Sequence, residues 1–341
     1  MKVFLGMSGG VDSAVSAYLL QQQGYEVIGV YMKNWSKNLP GMKCPWAEDL
    51  ADAKRVAVKL GIDFRVFDFE KEYKQKVVDY MLEEYQKGNT PNPDIMCNQE
   101  IKFKLFAETA FEQGADRIAT GHYAQADGNK LLRAVDENKD QTYFLYRITE
   151  DAISKTIFPV GGMMKTEVKA LAEKLGLSVA HKKESMGVCF VGEANMRDFL
   201  SEFIETKPGE IRELETDKVL GTHDGAIFYT LGQRHGLNLK DGLPYYVVRK
   251  NMKTNTIFVS RNLKALSLWK KEIELKDVVL RGGDDGCNIE ARIRHRAPLV
   301  KADYDAKTHK LTFAEEQKSL TPGQSVVFYR ENVCLGGGII C

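Results

Sequence analysis

Three short stretches hold residues whose types and spacing suit chemistry. The first is Ser8-Gly9-Gly10-Val11-Asp12-Ser13, directly after the apolar run Val3–Met7. A strand, a glycine turn and a helix start in that order make a nest of backbone N–H groups backed by a positive helix end. Gly9 and Gly10 let backbone approach an anion closely, and Ser8 and Ser13 add hydroxyl donors. A Walker-type loop would continue with a lysine that reaches the outer phosphates. Here Val11, Asp12 and Ser13 stand in its place. The expected occupant is therefore a pyrophosphate group, with Asp12 a candidate for placing a magnesium ion. The second stretch is Thr90-Pro-Asn-Pro-Asp-Ile-Met-Cys97. Two prolines hold a non-helical approach, and Cys97 falls where a helix bearing Lys102 and Lys104 is expected to begin, a setting that favours the thiolate. The third places Cys189 between Gly187 and Gly192. Taken singly, either cysteine is equally a core residue.

The elements that must position these groups follow from periodicity. Val27–Met32 and Phe64–Phe69 read as buried strands and Arg117–Thr120 as another. Helical spacing runs over Ser13–Gln23, stopped by Gly24, and over Glu48–Leu60, stopped by Gly61. It returns over Lys102–Gln113 and over Thr166–Leu175, with Thr166 as the expected cap. Strands alternating with helices predict an α/β fold with a parallel, doubly wound sheet. From about Thr206 the texture changes to short alternating runs between glycine and polar turns, which predicts hairpins. Lys253-Thr-Asn-Thr is an expected hairpin turn, and Ala265–Trp269 the expected seam between a small, mostly β middle domain and a C-terminal β-barrel. The expected domains are 1–197, 198–264 and 265–341. Arg292, Arg294 and Arg296 alternate as strand residues on one face would, for phosphate contact or simply for solvent. Met163 and Met164 read as packing.

Composition narrows the class. The chain has 341 residues, 43% hydrophobic and 28% charged, and 48 Lys+Arg against 47 Asp+Glu give a formal charge of +1. Nucleic-acid binding then needs a local basic surface, because net charge supplies none. No apolar run reaches the ~18 residues of a membrane span, and the N-terminus has no signal or transit character. The six cysteines are scattered without a C-x-x-C pair, so neither a structural zinc site nor a disulfide framework is expected. A reducing cytoplasm is the expected compartment.

Ser8–Ser13 resembles the PP-loop of the ATP pyrophosphatase group, whose members break the α–β bond of ATP. Asn92-Pro93-Asp94…Cys97-Asn98…Ile101-Lys102-Phe103 and Gly187-Val188-Cys189-Phe190 narrow the resemblance to the tRNA-specific 2-thiouridylase family. Thr120-Gly121-His122-Tyr123, Lys139–Leu145, Tyr229–Arg234, Arg294-His295-Arg296 and Pro322-Gly323-Gln324 follow in family order, so the likeness runs the whole chain. Two departures are Thr142, where many members carry serine, and a somewhat short chain. The resemblance implies a sulfurtransferase that adenylates the 2-oxygen of the wobble uridine, the base being drawn out of its stack. It implies ATP, with magnesium, at Gly6, Met7, Ser8, Gly9, Gly10, Val11, Asp12 and Ser13, with Met32 and Gly121 on the adenine side. It implies Cys189 as persulfide carrier, Cys97 as partner nucleophile with a Cys97–Cys189 disulfide as outcome, and Asp94 as acid or base. It implies contacts with tRNA or the target base at Asn92, Pro93, Asp94, His122, Lys139, Asp140, Gln141, Arg294, His295 and Gln324, and a protein persulfide donor. Two other readings stay open: a PP-loop amide or amidine ligase, which leaves both cysteines idle, and a catalytically idle RNA-binding protein, which leaves the intact loop without a use.

Overall fold

The computed structural model describes residues 1–38, 44–183, 196–239, 244–262 and 268–341. The described chain forms two compact units. The first comprises Met1–Val78, Pro93–Ala194 and Tyr329–Gly336, the second Asp79–Asn92, Asn195–Phe328 and Gly337–Cys341.

In the first unit, β1 (Lys2–Gly6), β2 (Glu26–Lys33), β3 (Asp63–Asp68) and β4 (Arg117–Thr120) are parallel. With the two-residue β7 (Thr156–Ile157) the sheet order is β3-β2-β1-β4-β7. Chain direction across the sheet therefore reverses between β1 and β4, and such a switch point opens a crevice at the carboxyl ends of the strands. Helix α1 (Val11–Gln22) buries Val11, Ala14, Val15, Ala17 and Leu20, and its small residues let it sit close on the sheet. Helix α2 (Trp46–Leu60) buries Asp52, Ala53, Val56 and Ala57 and ends on Gly61 at φ 65°, a left-handed stop that glycine allows. A hairpin of β5 (Ala124–Asp127) and β6 (Lys130–Arg133) pairs with Val333 and Cys334.

Two local expectations are corrected. The helix expected at Lys102 begins at α3 (Pro93–Met96), continues as a π-helical segment Cys97–Leu105 and ends as α4 (Phe106–Glu112). Pro93 is thus the first helical residue, a place where its missing N–H costs nothing, and Cys97 lies a turn inside. The next long helix, α5 (Lys165–Lys174), is capped at Met164, whose N–H donates to Glu167 Oε2 at 2.7 Å. Thr166 therefore lies within the helix, because a carboxylate three residues on satisfies the cap from the other side.

The second unit contains a sheet of order β10-β11-β8-β9, made of β8 (Gly209–Glu213), β9 (Val219–His223), β10 (Tyr246–Asn251) and β11 (Thr256–Ser260). Ile211, Tyr229, Val247, Ile257 and Val259 form its core. The expected turn joins β10 to β11, with Asn251 Oδ1 accepting from the Lys253 and Thr254 N–H groups and Asn255 at φ 49°. Six strands then close a barrel: β12 (Trp269–Leu280), β13 (Ile289–Arg292), β14 (Val300–Asp305), β15 (Lys310–Lys318), β16 (Ser325–Arg330) and β17 (Val333–Ile340), with β12 also pairing β17. Among the described residues no helix is long and apolar enough to cross a membrane.

Candidate functional site

The glycine turn leaves the carboxyl end of β1 and starts α1. Gly10 caps the helix without a side-chain hydrogen bond, so the first-turn N–H groups are offered outward. Gly9 is at φ 74°, and a Cβ there would lie 2.3 Å from the Asp49 carbonyl oxygen, so no other residue fits. Ser13 donates its hydroxyl to the Gly10 carbonyl at 3.0 Å and accepts from the Ser8 N–H at 3.3 Å, which fixes the turn from within. Gly121, just past β4, presses on the same turn, since a Cβ there would lie 2.8 Å from Ser13 N. A Cβ on Gly6 would meet Met32 Cε at 2.9 Å, which places Met32 against the base of the turn. The residues expected around ATP therefore gather at the switch point between β1 and β4.

The lysine missing from the loop arrives from elsewhere. Lys165, at the first turn of α5, donates to Asp12 Oδ1 at 2.6 Å and is only 6% exposed. Tyr123 donates its hydroxyl to the same oxygen at 2.8 Å, and the Lys165 ammonium lies 5.6 Å from the Tyr123 ring centroid. Sequence reasoning missed Lys165 because 153 residues separate it from Asp12, and nothing in Met163-Met164-Lys165 marks it. Behind the turn, Lys182 bonds Asp49 at 2.7 Å and also Asp52. Burial pushes the Asp52 carboxyl up, but the bonds from Lys182 and Arg55 outweigh it and hold the group below its ordinary range. Residues 184–195 follow, so Gly187, Cys189 and Gly192 lie outside the described residues.

A second cluster stands beside the turn, because His122 follows Gly121. Burial holds the His122 imidazole well below its ordinary pKa, and the Lys102 cation adds to the effect. Its Nδ1 is 2.8 Å from Thr120 Oγ1, and its ring centroid is 5.7 Å from that of Phe103. Burial raises the Asp94 carboxyl, opposed by the same Lys102. Cys97 is 1% exposed. Asn98 donates to the Phe144 carbonyl at 3.0 Å, while its buried Oδ1 finds no hydrogen-bond partner among the described residues. A neutral imidazole, a carboxyl biased toward its protonated form and a thiol thus lie on adjoining elements, α3 with its π-helical extension and the end of β4. Such a set can exchange protons with a weakly acidic N–H and attack sulfur.

The remaining residues are placed as follows. The Asp140 side chain is internal and accepts from the Ala134 N–H, the Thr142 N–H and the Thr142 hydroxyl. Gln141 Oε1 accepts from the Tyr123 N–H at 2.9 Å. Lys139 is half-buried on the same loop. In the second unit, Arg294 is exposed and donates to the Ser319 carbonyl at 2.6 Å, and Gln324 donates to the Thr90 carbonyl at 2.6 Å. His295 and Asn92 are half-buried there, while Pro93 belongs to the first unit. The arginine stripe is corrected: β13 ends at Arg292, which is buried, and Arg296 has φ 62°, so strand alternation stops before the three can share a face. No group of three or more potential metal ligands occurs among the described residues.

Three family models match in succession. They are described as a tRNA methyl transferase HUP domain over 1–193, a tRNA methyl transferase PRC-barrel domain over 197–261 and an aminomethyltransferase beta-barrel domain over 270–340. These define a nucleotide-binding α/β enzyme domain followed by β modules. The tRNA-specific 2-thiouridylase MnmA of Listeria welshimeri is 47% identical over 351 residues, covering 100% of this chain and 94% of that protein. That of Exiguobacterium sibiricum is 48% identical over 349 residues, covering 99% and 93%. The chain belongs to the tRNA-specific 2-thiouridylase family. Among solved structures, a 4-thiouridine synthetase–RNA complex with bound ATP has a TM-score of 0.38 and 21% identity, covering 59% of this chain and 50% of that one.

Proposed function

We propose that the protein is a tRNA-uridine 2-sulfurtransferase that uses ATP to exchange the 2-oxygen of the wobble uridine for sulfur. The observation that carries the reading is the cradle at Gly9–Ser13, whose cation, Lys165, is supplied from another element. Outward N–H groups, the Ser8 hydroxyl and an ammonium fit a pyrophosphate group, while the Ser13 hydroxyl is held by the Gly10 carbonyl. A Cβ at Gly9 would abolish the turn that makes them converge. ATP, accompanied by Mg2+, would be held at Gly6–Ser13 with Met32 and Gly121 flanking, so that its α-phosphorus faces the uridine O2.

Oxide is too poor a leaving group to expel from C2 directly, so activation precedes sulfur. As O2 bonds to the α-phosphorus, the N3 proton leaves the base and pyrophosphate departs with the bridging oxygen. Lys165 and the turn N–H groups offset the charge growing on that leaving group. His122, kept neutral by burial, and Asp94 are the groups placed to handle the N3 proton. The terminal sulfur of a Cys189 persulfide then bonds to C2 and AMP leaves. Attack of the Cys97 thiolate on Cys189 Sγ releases 2-thiouridine and leaves a Cys97–Cys189 disulfide, which an external thiol reduces. The persulfide sulfur comes from a partner protein, and the reducing compartment this needs is the cytoplasm.

RNA contacts are assigned to Asn92, Pro93, Asp94, His122, Lys139, Asp140, Gln141, Arg294, His295 and Gln324. For Asp140, whose carboxylate is internal, the contact falls to the backbone. The three matched segments support a division into a catalytic domain at 1–197, a central domain at 198–264 and a barrel at 265–341. Incubation with tRNA, ATP and sulfide or a persulfide donor, followed by nucleoside analysis, tests the reading. 2-Thiouridine is expected in wild type and absent in Cys189→Ser when a protein persulfide donor is used. Full product from Cys189→Ser under those conditions overturns the persulfide role.

A further inference from the structure

Asp12 is the only acidic residue in the glycine turn, and two residues from distant elements meet on its Oδ1: the Tyr123 hydroxyl at 2.8 Å and the Lys165 ammonium at 2.6 Å. Both are gripped in turn by one loop, 136–141. Gln141 and Tyr123 lock reciprocally: the Gln141 N–H donates to the Tyr123 carbonyl at 2.9 Å, and the Tyr123 N–H donates to Gln141 Oε1 at 2.9 Å. At the other end, Asp136, 5% exposed, accepts the Lys165 backbone N–H on Oδ2 at 2.9 Å. Its Oδ1 accepts the Asn138 N–H at 3.1 Å, and its carbonyl accepts the Lys139 N–H at 3.0 Å. Between these anchors Glu137 and Asn138 are exposed, and Lys139 sits beside them. The buried Asp140 carboxylate ties the loop back to the Ala134 and Thr142 N–H groups. One short loop thus faces outward at its crest and inward holds both groups that bond Asp12 Oδ1.

We propose that loop 136–141 couples RNA binding to ATP cleavage, with Tyr123 as the positioning residue that transmits it. The proposal rests on the reading above, in which Lys139–Gln141 contact RNA and the turn cradles ATP. An RNA phosphate drawn to Lys139 restrains a turn whose carbonyl and carboxylate belong to Asp136. The same restraint reaches Gln141 and, through Tyr123, the orientation of Asp12 and of the Lys165 ammonium. A ligand shifts such an equilibrium only through contacts that differ between two states. The relay supplies that difference: with the loop ordered, Tyr123 and Lys165 are both aligned on Oδ1, and with it loosened neither is. The coupling keeps water from cleaving ATP at the α-phosphorus before an acceptor uridine is present.

The test measures pyrophosphate release by the full-length protein at saturating ATP, with and without saturating tRNA, in wild type, Tyr123→Phe and Gln141→Ala. The first substitution removes only the hydroxyl, leaving the ring and the backbone pairing with Gln141. The second removes the acceptor for the Tyr123 N–H. Wild type is expected to be stimulated by tRNA. In Tyr123→Phe the kcat with tRNA is expected to fall about tenfold, with KM for ATP and for tRNA within about twofold. In Gln141→Ala the ratio of stimulated to unstimulated rates is expected to fall about fivefold. A purely structural role would instead raise both KM values and lower Tm. Wild-type stimulation in both variants overturns the relay. Equal release with and without tRNA in wild type overturns the coupling. No release by wild type under any condition is a separate result, which sinks the adenylation reading and the proposal with it.

Discussion

Lys165→Met removes one ammonium and keeps most of the stem. The structure separates its expected effect on activity from its effect on folding. Lys165 and Asp12 form a pair at 2.6 Å with side chains 8% and 30% exposed. In the resting fold Asp12 keeps its bond from Tyr123 and enough exposure to be hydrated. Loss of the ion pair therefore leaves a solvated carboxylate and no uncompensated buried charge, and with removal of the nearly buried ammonium offsetting part of the loss the net cost is about 1 kcal/mol. For a unit of this size that shifts Tm by only about 2–4 °C. Catalysis is different, because in the proposed reaction the ammonium faces charge that grows only as pyrophosphate departs. Removing one preorganised donor of that kind costs about 2.7–4 kcal/mol, a ~10²–10³-fold fall in rate. Single-turnover pyrophosphate release at saturating ATP and tRNA, with a thermal melt of the same sample, reads both numbers. Release within threefold of wild type would refute the assignment, as would a melt lowered by more than about 10 °C, which would show the lysine to be chiefly structural.

Two further outcomes follow from buried titratable groups. Lys250, on β10, has an ammonium with no hydrogen-bond partner among the described residues, and burial pushes its pKa from 10.5 down to about 8. The unfolded chain holds that proton more tightly, so the contribution to stability rises with pH from about 8 to 10.5 and the cost is full below 8. At 1.36 kcal/mol per unit the cost is about 3 kcal/mol. Lys250→Met should therefore stabilise the protein by about 2–3 kcal/mol in urea titrations at pH 7 and gain little at pH 10.5; equal stability at pH 7 contradicts this. For His122 the same sign holds: with its folded pKa well below 6.5, stability rises as pH climbs toward 6.5 and is level above it. Its imidazole should read as neutral by nitrogen NMR at pH 6, and a titration centred near 6.5 contradicts the burial account.

Much of the first unit was legible because its elements are written in local pattern. The stop at Gly61 and the strand Arg117–Thr120 needed only periodicity and one glycine. The glycine turn was legible for the same reason, since a strand, two glycines and a helix start are contiguous. What escaped was whatever depends on contacts distant in sequence. Lys165 meets Asp12 across 153 residues, and Asp140 looks like a surface acid until its carboxylate is found inside the turn it stabilises. The arginine stripe failed because alternation in sequence survives the end of a strand while alternation in space does not. The helix carrying Cys97 began earlier than expected because Pro93 was read as a breaker, although a first-turn proline is compatible with a helix.

In the proposed reaction a loop without its own lysine, completed by Lys165, directs attack to the α-phosphorus of ATP. The most direct measurement is the nucleotide balance of a tRNA thiolation reaction, resolved by chromatography against the 2-thiouridine formed. One AMP and one pyrophosphate for each 2-thiouridine is the predicted result. ADP and inorganic phosphate appearing in step with product would contradict it, since the outer bond would then be the one that breaks.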